Sequence, residues 1–242
     1  MEMDTIKLEA ARKPLMIAHR GVSGLETENT CAAFTAAGNR SYFGIETDVH
    51  HTSDGNYVVF HDDTTARVAG VDYRIEETDY ETLRSLSLLP KQGREKRSDL
   101  RIASLREYID ICRAYDKTAV LELKNHFPRE MVFEIVEIIK GMGYLDRVIF
   151  ISFDFENLVF IRERCPGHPV QFLTNSCDDA LIEKLKAYQM DLDIDYRGLD
   201  EETARKCINA GITLNCWTVD TVADAQRMAA YGVSYITSNM LE

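Results

Sequence analysis

The sequence lacks the patterns of a zinc module, a secreted protein or a membrane protein. Its six cysteines form no CxxC pair and show no cysteine–histidine spacing of the zinc type, which argues against structural zinc. The first residues, MEMDTIKLEAARKP, alternate charged and apolar side chains and contain no apolar run of the signal-peptide kind. No stretch approaches the roughly 18 apolar residues of a membrane span. We therefore expect a cytoplasmic protein with reduced thiols and no stable membrane insertion.

Positive charge is also scarce. The chain has 28 lysines and arginines against 40 aspartates and glutamates, a formal net charge of −12. Its longest basic stretch, residues 91–101, is interrupted by Glu95 and Asp99. Because neutralising nucleic-acid phosphates requires a dense basic face, we expect no nucleic-acid partner. A small anionic substrate stays compatible with this composition if its pocket is locally positive. The sequence leaves the oligomeric state open.

Eight short apolar runs are spread along the chain and indicate an α/β fold. Amphipathic segments separate them, so the alternation predicts a parallel sheet, either open and doubly wound or closed as a barrel. The count of eight in 242 residues favours the TIM (β/α)8 barrel. The predicted strands are 15–19, 45–49, 119–124, 148–152, 170–173, 192–196, 212–217 and 234–238. The predicted helices lie near 29–40, 104–116, 129–141, 154–164, 178–189, 200–210 and 221–231, with N-caps at Asn29, Ser104, Asp154, Asp200 and Thr221.

An extra segment interrupts this repeat after the second strand. The Asp54-Gly55 pair is a hairpin signal and is followed by a short β run at 57–60. Residues from about 64 to 100 are polar and contain one clear helical patch, near 80–88. We interpret residues 52–103 as a loop insertion and residues 1–242 as a single domain, since a chain of this length buries enough surface for one sizeable core.

Acidic residues collect at the carboxyl ends of two predicted strands. Residues two apart in a strand face the same side, so Glu46 points with Asp48, and Glu122 points with Lys124. Burying three carboxylates without compensation would cost several kcal/mol each, about the penalty of an unpaired interior charge. A divalent cation with a preference for oxygen, Mg²⁺ or Ca²⁺ with Mn²⁺ also suitable, would supply the missing charge. Ion pairs with Arg20 and Lys124 inside the barrel are the alternative.

Further residues at the same rim suit phosphate chemistry. His19 and His61 offer an acid and a base near neutral pH, Arg20 can hold a phosphate in bidentate fashion, and Trp217 is expected to line the mouth as an aromatic wall. Two other functions fit parts of this pattern. One is an aldolase-type barrel that forms a Schiff base through Lys124, and the other is a non-catalytic barrel that binds phosphate or polyol.

The order and spacing of these residues resemble the glycerophosphodiester phosphodiesterase family. The resemblance runs from about residue 14 to the carboxyl end, and its motifs are AHRG (18–21), ENT (28–30), GIETDV (44–49), TSDG (52–55), VVFHD (58–62), LELK (121–124), ISF (151–153) and WTV (217–219). It implies a TIM barrel. It also implies a role for each position. His19 and His61 would be the acid/base pair, and Arg20 and Lys124 would bind the phosphate. The metal ligands would be Glu46, Asp48 and Glu122.

The resemblance further implies an activity, the metal-dependent hydrolysis of a glycerophosphodiester to sn-glycerol 3-phosphate and an alcohol. The attacking oxygen is either the glycerol 2-hydroxyl, through a cyclic phosphate, or water. Thr27 and Ala103 stand where the family usually has proline, and neither departure removes a catalytic position. Asp193 and Asp195 share a face of the sixth predicted strand, and we expect them to be solvated or ion-paired more than to contact a substrate hydroxyl. For Glu28 and Asn29, capping the first helix and positioning the site are equally supported.

Overall fold

The computed structural model describes residues 4–10, 13–91 and 97–242. Within these ranges the strands are β1 Leu15–Ala18, β2 Gly44–His51, β3 Tyr57–Val59, β4 Ala103–Ser104, β5 Thr118–Leu123, β6 Val148–Ser152, β7 Val170–Thr174, β8 Asp191–Asp195, β9 Leu214–Trp217 and β10 Tyr235–Ser238. The α-helices are α1 Cys31–Gly38, α2 Ala66–Ala69, α3 Tyr80–Ser85, α4 Leu105–Ala114, α5 Arg129–Gly141, α6 Phe155–Arg164, α7 Asp179–Tyr188, α8 Glu201–Asn209 and α9 Val222–Ala230. None of these described helices is both long and apolar enough to cross a membrane.

Eight of the strands close into a parallel barrel. The order around the ring is β1, β2, β5, β6, β7, β8, β9 and β10, and the β1–β2 and β1–β10 pairings close it. These are the eight strands predicted from the sequence, each with ends within two residues of the expected ones. The TIM-barrel prediction is therefore confirmed. The sequence alternates apolar runs with amphipathic segments because helices cover the outer face of the sheet.

Apolar side chains fill the barrel below the rim and the space between strands and helices. The barrel interior holds Ile17, Val120, Ile149, Ile151 and Leu173. The larger outer cluster includes Phe34 and Tyr108, whose rings meet edge to face with centroids 5.1 Å apart. The Tyr108 hydroxyl donates to the carbonyl of Ile45 at 2.7 Å, which ties helix α4 to β2. A rigid floor and wall thus support the strand ends.

The segment after β2 extends the barrel sheet sideways. Strand β3 pairs antiparallel with β2, and β4 pairs antiparallel with β3. The segment contains more helix than the single patch expected from the sequence, namely α2, α3 and a 3₁₀ turn at Ile75–Glu77. It has an apolar cluster of its own, comprising Val58, Phe60, Val68, Ile75, Leu83, Leu88, Leu100 and Ile102. Residues 92–96 of the basic stretch lie outside the described residues, and the single-domain interpretation stays a prediction.

Four of the five predicted N-caps are confirmed. Ser104, Asp154, Asp200 and Thr221 each accept a hydrogen bond from the first turn of their helix. The prediction for Asn29 is wrong, because the Thr30 hydroxyl accepts from the backbone N–H of Ala33 and caps α1 instead. Asn29 has a left-handed backbone with φ of 53°, and its side chain is directed to the strand ends.

The cap at Ser104 is expected to stabilise the junction between the insertion and α4. Ser104 and Glu107 form a reciprocal capping box, and Arg84 of α3 donates to Glu107 at 2.8 Å. Ser104→Ala should lower the free energy of unfolding by about 1 kcal/mol, the usual cost of a lost N-cap. Urea denaturation measures this, with Ser85→Ala as an exposed serine control. Equal midpoints for the wild type and Ser104→Ala would contradict the prediction.

Candidate active site

One cavity lies at the carboxyl ends of the barrel strands. All eight side chains predicted from the sequence to form the site line it: His19, Arg20, Glu46, Asp48, His61, Glu122, Lys124 and Trp217. Six more residues complete the lining: Ile151, Phe153, Leu173, Asp193, Thr218 and Thr237. The barrel therefore brings together every residue that the sequence placed at this rim.

Three carboxylates meet at the bottom of the cavity. Glu46 and Asp48 lie on β2 and Glu122 lies on the neighbouring β5, directly opposite Asp48 in the strand register. All three are buried, and one oxygen of each lies within 4.8 Å of the others. Burial and repulsion from Asp48 and Glu122 raise the pKa of Glu46 well above its usual range. Burial and Asp48 raise the pKa of Glu122 to about 8.

Two cations pair with these acids. Lys124 Nζ lies 2.9 Å from Glu122 and 3.5 Å from Asp48, and Arg20 Nε lies 3.7 Å from Asp48. Although burial opposes its ionisation, Lys124 and Arg20 hold the pKa of Asp48 well below its usual range. Glu46 accepts from the backbone N–H of Arg20 at 2.8 Å. The ion pairs expected as the alternative to a metal are thus present.

These pairs nevertheless leave the acidic cluster undercompensated. Burial is the largest cause of the raised pKa values of Glu46 and Glu122, and repulsion between the carboxylates adds to it. The three carboxylates also outnumber the two cations, Arg20 and Lys124. Three buried carboxylates with converging oxygens are the donor set that a hard divalent cation takes. The residues present therefore fit a divalent cation.

The environment of Lys124 does not favour the Schiff-base alternative. Burial opposes its charge, yet Asp48 and Glu122 together raise the pKa of Lys124 above its ordinary value. A Schiff-base lysine must be neutral to attack a carbonyl, so its surroundings normally lower the pKa. Here the two carboxylates hold the amine in its charged form, which suits an anion-binding residue.

His19 is oriented by a hydrogen-bonded chain from the last strand. Its Nδ1 lies 2.8 Å from Asn239 Oδ1, and Asn239 Nδ2 donates to Asp220 at 2.6 Å. Because the amide nitrogen is taken up by Asp220, the Asn239 oxygen faces the ring and accepts. His19 must then carry its proton on Nδ1, which leaves the lone pair of Nε2 free. Burial, reinforced by the charge of Arg20, lowers the pKa of His19 to about 4.

His61 is held by a second chain, which crosses from the insertion. Its Nδ1 lies 2.7 Å from Asp62, and Arg67 Nε donates to the same carboxylate at 2.6 Å. Arg67 also donates to Glu28 at 2.9 Å, and Glu28 in turn accepts from Arg20 at 2.9 Å. Burial lowers the pKa of His61, against the opposing charge of Asp48.

Trp217 and Phe153 form an apolar side of the mouth, with ring centroids 5.7 Å apart in an edge-to-face arrangement. The indole N–H of Trp217 donates to the backbone carbonyl of Asp193 at 3.4 Å, which fixes the ring over β8. This matches the aromatic wall expected from the sequence. A wall of this kind suits the carbon face of a polyol.

Two supporting residues, Asn239 and Arg67, escaped the sequence reasoning, and for Asn29 the structure decides between the two roles expected. Asn29 donates to Asp48 at 2.8 Å and accepts from Thr47 at 2.7 Å, so it positions a strand-end acid and caps no helix. Asn239 follows the last strand at the same rim, and that placement is the signal that could have identified it. Arg67 stands in the polar insertion, where no local pattern distinguishes it from a solvated residue.

Comparison with known proteins agrees with this geometry. A family model described as the glycerophosphoryl diester phosphodiesterase family matches residues 19–242. The glycerophosphodiester phosphodiesterase of Caldanaerobacter subterraneus subsp. tengcongensis is 32% identical over 235 residues, which are 94% of this chain and 94% of the relative. A phosphodiesterase of Oleispira antarctica, solved in complex with the product sn-glycerol-3-phosphate, superposes with a TM-score of 0.81 at 24% identity, covering 94% of each chain.

The glycerophosphodiester phosphodiesterase of Thermotoga maritima is a further structural neighbour, with a TM-score of 0.77 at 24% identity over 94% of this chain and 95% of that one. At 24% identity, the two solved structures support the fold alone. The family match identifies the protein as a phosphoric diester hydrolase built on a TIM barrel. The chain belongs to the glycerophosphoryl diester phosphodiesterase family and is an enzyme of that class.

The acidic cluster is expected to bind Ca²⁺ with an affinity that depends on Glu122. Glu122→Gln removes one anionic ligand and should weaken Ca²⁺ binding by about tenfold or more, since affinity follows the number of charged ligands. In the wild type, affinity should rise from about pH 6 to about pH 8, because a carboxyl with a pKa near 8 must lose its proton to bind a cation. Isothermal titration calorimetry measures both effects.

Asp195 offers a matched acidic control for this titration, since it lies at the same rim, pairs with Arg197 and does not line the cavity. Asp195→Asn should bind Ca²⁺ as the wild type does. Wild-type affinity in Glu122→Gln would contradict the assignment of Glu122.

Proposed function

We propose that this enzyme hydrolyses glycerophosphodiesters to sn-glycerol 3-phosphate and an alcohol, with a divalent cation and a pair of histidines as acid and base. The observation that supports this most is the single cavity in which the acidic cluster, both histidines and two cations meet. Water-soluble diesters are the favoured substrates, because the sequence offers no amphipathic membrane-binding helix.

The substrate phosphate is proposed to bind beside Arg20 and Lys124. Both side chains line the cavity and both are mostly buried, so their charges are weakly screened by water. They make the cavity attractive to a phosphodiester monoanion although the whole chain carries −12. Arg20 has a planar fork that can hold two phosphoryl oxygens at once.

Glu46, Asp48 and Glu122 would hold the cation, Mg²⁺ or Ca²⁺ with Mn²⁺ also suitable. When bound there, such an ion supplies Lewis-acid neutralisation of charge on the phosphoryl oxygens. Asn29 holds Asp48 through a 2.8 Å hydrogen bond, and the backbone N–H of Arg20 holds Glu46 at 2.8 Å, so two of the three acids are fixed in place.

His19 is proposed as the general base. Its lowered pKa keeps it neutral at physiological pH, and the Asn239 contact leaves Nε2 free to accept a proton from the attacking oxygen. That oxygen is the glycerol 2-hydroxyl or a water molecule. Asp220, through Asn239, prevents the ring from turning.

His61 is proposed as the general acid that protonates the leaving alkoxide. The Asp62 carboxylate accepts from its Nδ1 and stabilises the charged imidazolium. A phosphodiester monoanion beside His61 adds further negative charge, which raises the proton affinity of the ring when substrate is bound. Arg67 keeps Asp62 in position for this.

The purified enzyme should release sn-glycerol 3-phosphate from glycerophosphoethanolamine. Excess EDTA should abolish turnover and Mg²⁺, Ca²⁺ or Mn²⁺ should restore it, because the acidic cluster requires a positive centre. A coupled assay for glycerol 3-phosphate measures both steps. Full turnover in EDTA, with metal shown to be absent by elemental analysis, would remove the cation from the proposal.

Replacing either histidine with alanine should lower kcat on the order of 10²- to 10⁴-fold, the usual contribution of a general acid or base. A glycerophosphodiester with p-nitrophenol as leaving group should rescue His61→Ala and not His19→Ala, because p-nitrophenolate leaves without a proton. Release of p-nitrophenolate at about 400 nm gives the rates.

His126 is the matched control, since it is exposed, pairs with Asp154 at 3.0 Å and does not line the cavity. His126→Ala should keep wild-type rates on both substrates. If p-nitrophenyl substrate rescued neither histidine variant, the division of roles between His19 and His61 would be abandoned.

A further inference from the structure

Asp193 is a buried acid that the chemistry proposed above does not use. It lies on β8, is 1% exposed and lines the cavity. No hydrogen-bond partner lies within reach of its Oδ1 among the described residues. Asp193 has no ion-pair partner among the described residues, so that part of the sequence expectation is wrong. For Asp195 that expectation is confirmed, because Arg197 Nε donates to it at 2.9 Å.

The fold gives no reason for a carboxyl at this position. A buried polar atom without a partner destabilises the folded state. Burial, with repulsion from Glu122, raises the pKa of Asp193 well above its usual range, and no cation in the described part of the chain lies beside it to oppose the shift. A leucine would fit better with Leu173, the register neighbour of Asp193 on β7. An acid kept here at a cost to stability indicates a role toward a ligand.

The position of Asp193 in the ring shows which part of the ligand it meets. Strand β8 is the fourth strand round from β2 in either direction, so Asp193 stands on the wall opposite Asp48. The register neighbour of Asp193 on β9 is Asn215. Leu173, Trp217 and Phe153 give this part of the lining an apolar side. A substrate whose phosphate lies on the β1, β2 and β5 side therefore extends its organic part toward Asp193.

We propose that Asp193 hydrogen-bonds the terminal hydroxyl of the glycerol moiety and thereby selects glycerol diesters over diesters of a deoxygenated polyol. This inference rests on the proposed function and names Asp193 as the residue that recognises the glycerol moiety of its substrate. A hydroxyl can both donate to and accept from a carboxyl, so it satisfies Asp193 in either protonation state. It is also small enough to reach an acid that is almost fully buried.

A second group, an ammonium on the leaving alcohol, is less well suited. Ion pairing at a buried site requires the carboxylate to stay ionised, and the surroundings of Asp193 disfavour its charged form. The ammonium therefore serves as an alternative that the experiment tests.

The test compares two p-nitrophenyl phosphodiesters, one of glycerol and one of propane-1,2-diol esterified at its primary hydroxyl. The second lacks only the terminal hydroxyl and keeps the secondary one, so attack by the neighbouring hydroxyl or by water remains available. Wild-type kcat/KM should be at least about tenfold lower on the propanediol ester, because Asp193 is left unpaired. Asp193→Leu should lose this preference and hydrolyse both esters at similar, low kcat/KM.

Two further variants make the comparison sharper. Asp193→Asn keeps an amide oxygen and N–H in the same place and should retain part of the preference for glycerol. Asp195→Asn, two residues along β8 and outside the cavity lining, should keep the full wild-type preference. Thermal unfolding should show Asp193→Leu folded and no less stable than the wild type, since the unpaired acid is removed.

Different failures have different meanings. If Asp193→Leu retained the wild-type preference for glycerol, or if the wild type hydrolysed both esters equally, Asp193 would not read this hydroxyl. If Asp193→Leu lost more kcat/KM on glycerophosphoethanolamine than on glycerophosphoethanol, Asp193 would bind the ammonium group and the inference would be overturned. No hydrolysis of any ester by the wild type, with a divalent cation present, would instead contradict the proposed function itself.

Discussion

Repulsion among three buried carboxylates is the constraint on which the rest of the site depends. Strands β2 and β5 are hydrogen-bonded neighbours, and their register sets Asp48 opposite Glu122 with Glu46 on the same face. The barrel backbone is too firmly packed for these acids to move apart. Positive charge must come to them, and Arg20 and Lys124 supply part of it. The chemistry of the cavity follows from this shortage of cations, which makes the site receptive to a metal.

The insertion contributes to the site as well as to the outer surface. Arg67, at its helix α2, bonds both Asp62 and Glu28, while Glu28 also accepts from Arg20. His61 and Arg20 are therefore connected through one chain of charged groups, although they come from different loops. Because Arg67 is half exposed, these contacts lie at a water-accessible edge, where salt screens them. The insertion thus carries His61 and, through Asp62 and Arg67, also holds its imidazole in position.

Sequence reasoning found most of the fold and the residues that line the site, for a clear physical reason. A barrel strand is a short apolar run, and a polar residue that ends such a run must lie at the rim, so His19 and Lys124 could be placed without coordinates. Glu46 could be placed because it lies two residues before Asp48 and shares its face. Residues that act through contacts distant in sequence could not be placed in this way. Asn239 reaches His19 across 220 positions, and Arg67 lies in a segment without periodicity. For Asn29 the sequence left two roles open, because asparagine is equally suited to capping and to holding an acid.

The order of the site residues along the chain divides the barrel into two parts. His19, His61, the three clustered acids, Arg20 and Lys124 come from residues 19–124, whereas Asp193 and the apolar side of the mouth come from residues 151–217. Asn239 and Asp220, which hold His19, lie beyond residue 217 and therefore belong to neither part. Mutational libraries confined to the strand ends of β6–β9 would therefore change which alcohols and polyols the barrel accepts while leaving the bond-breaking groups in place. The same division gives natural sequences a route to new diesters, in which half of the barrel diverges and the other half is held constant.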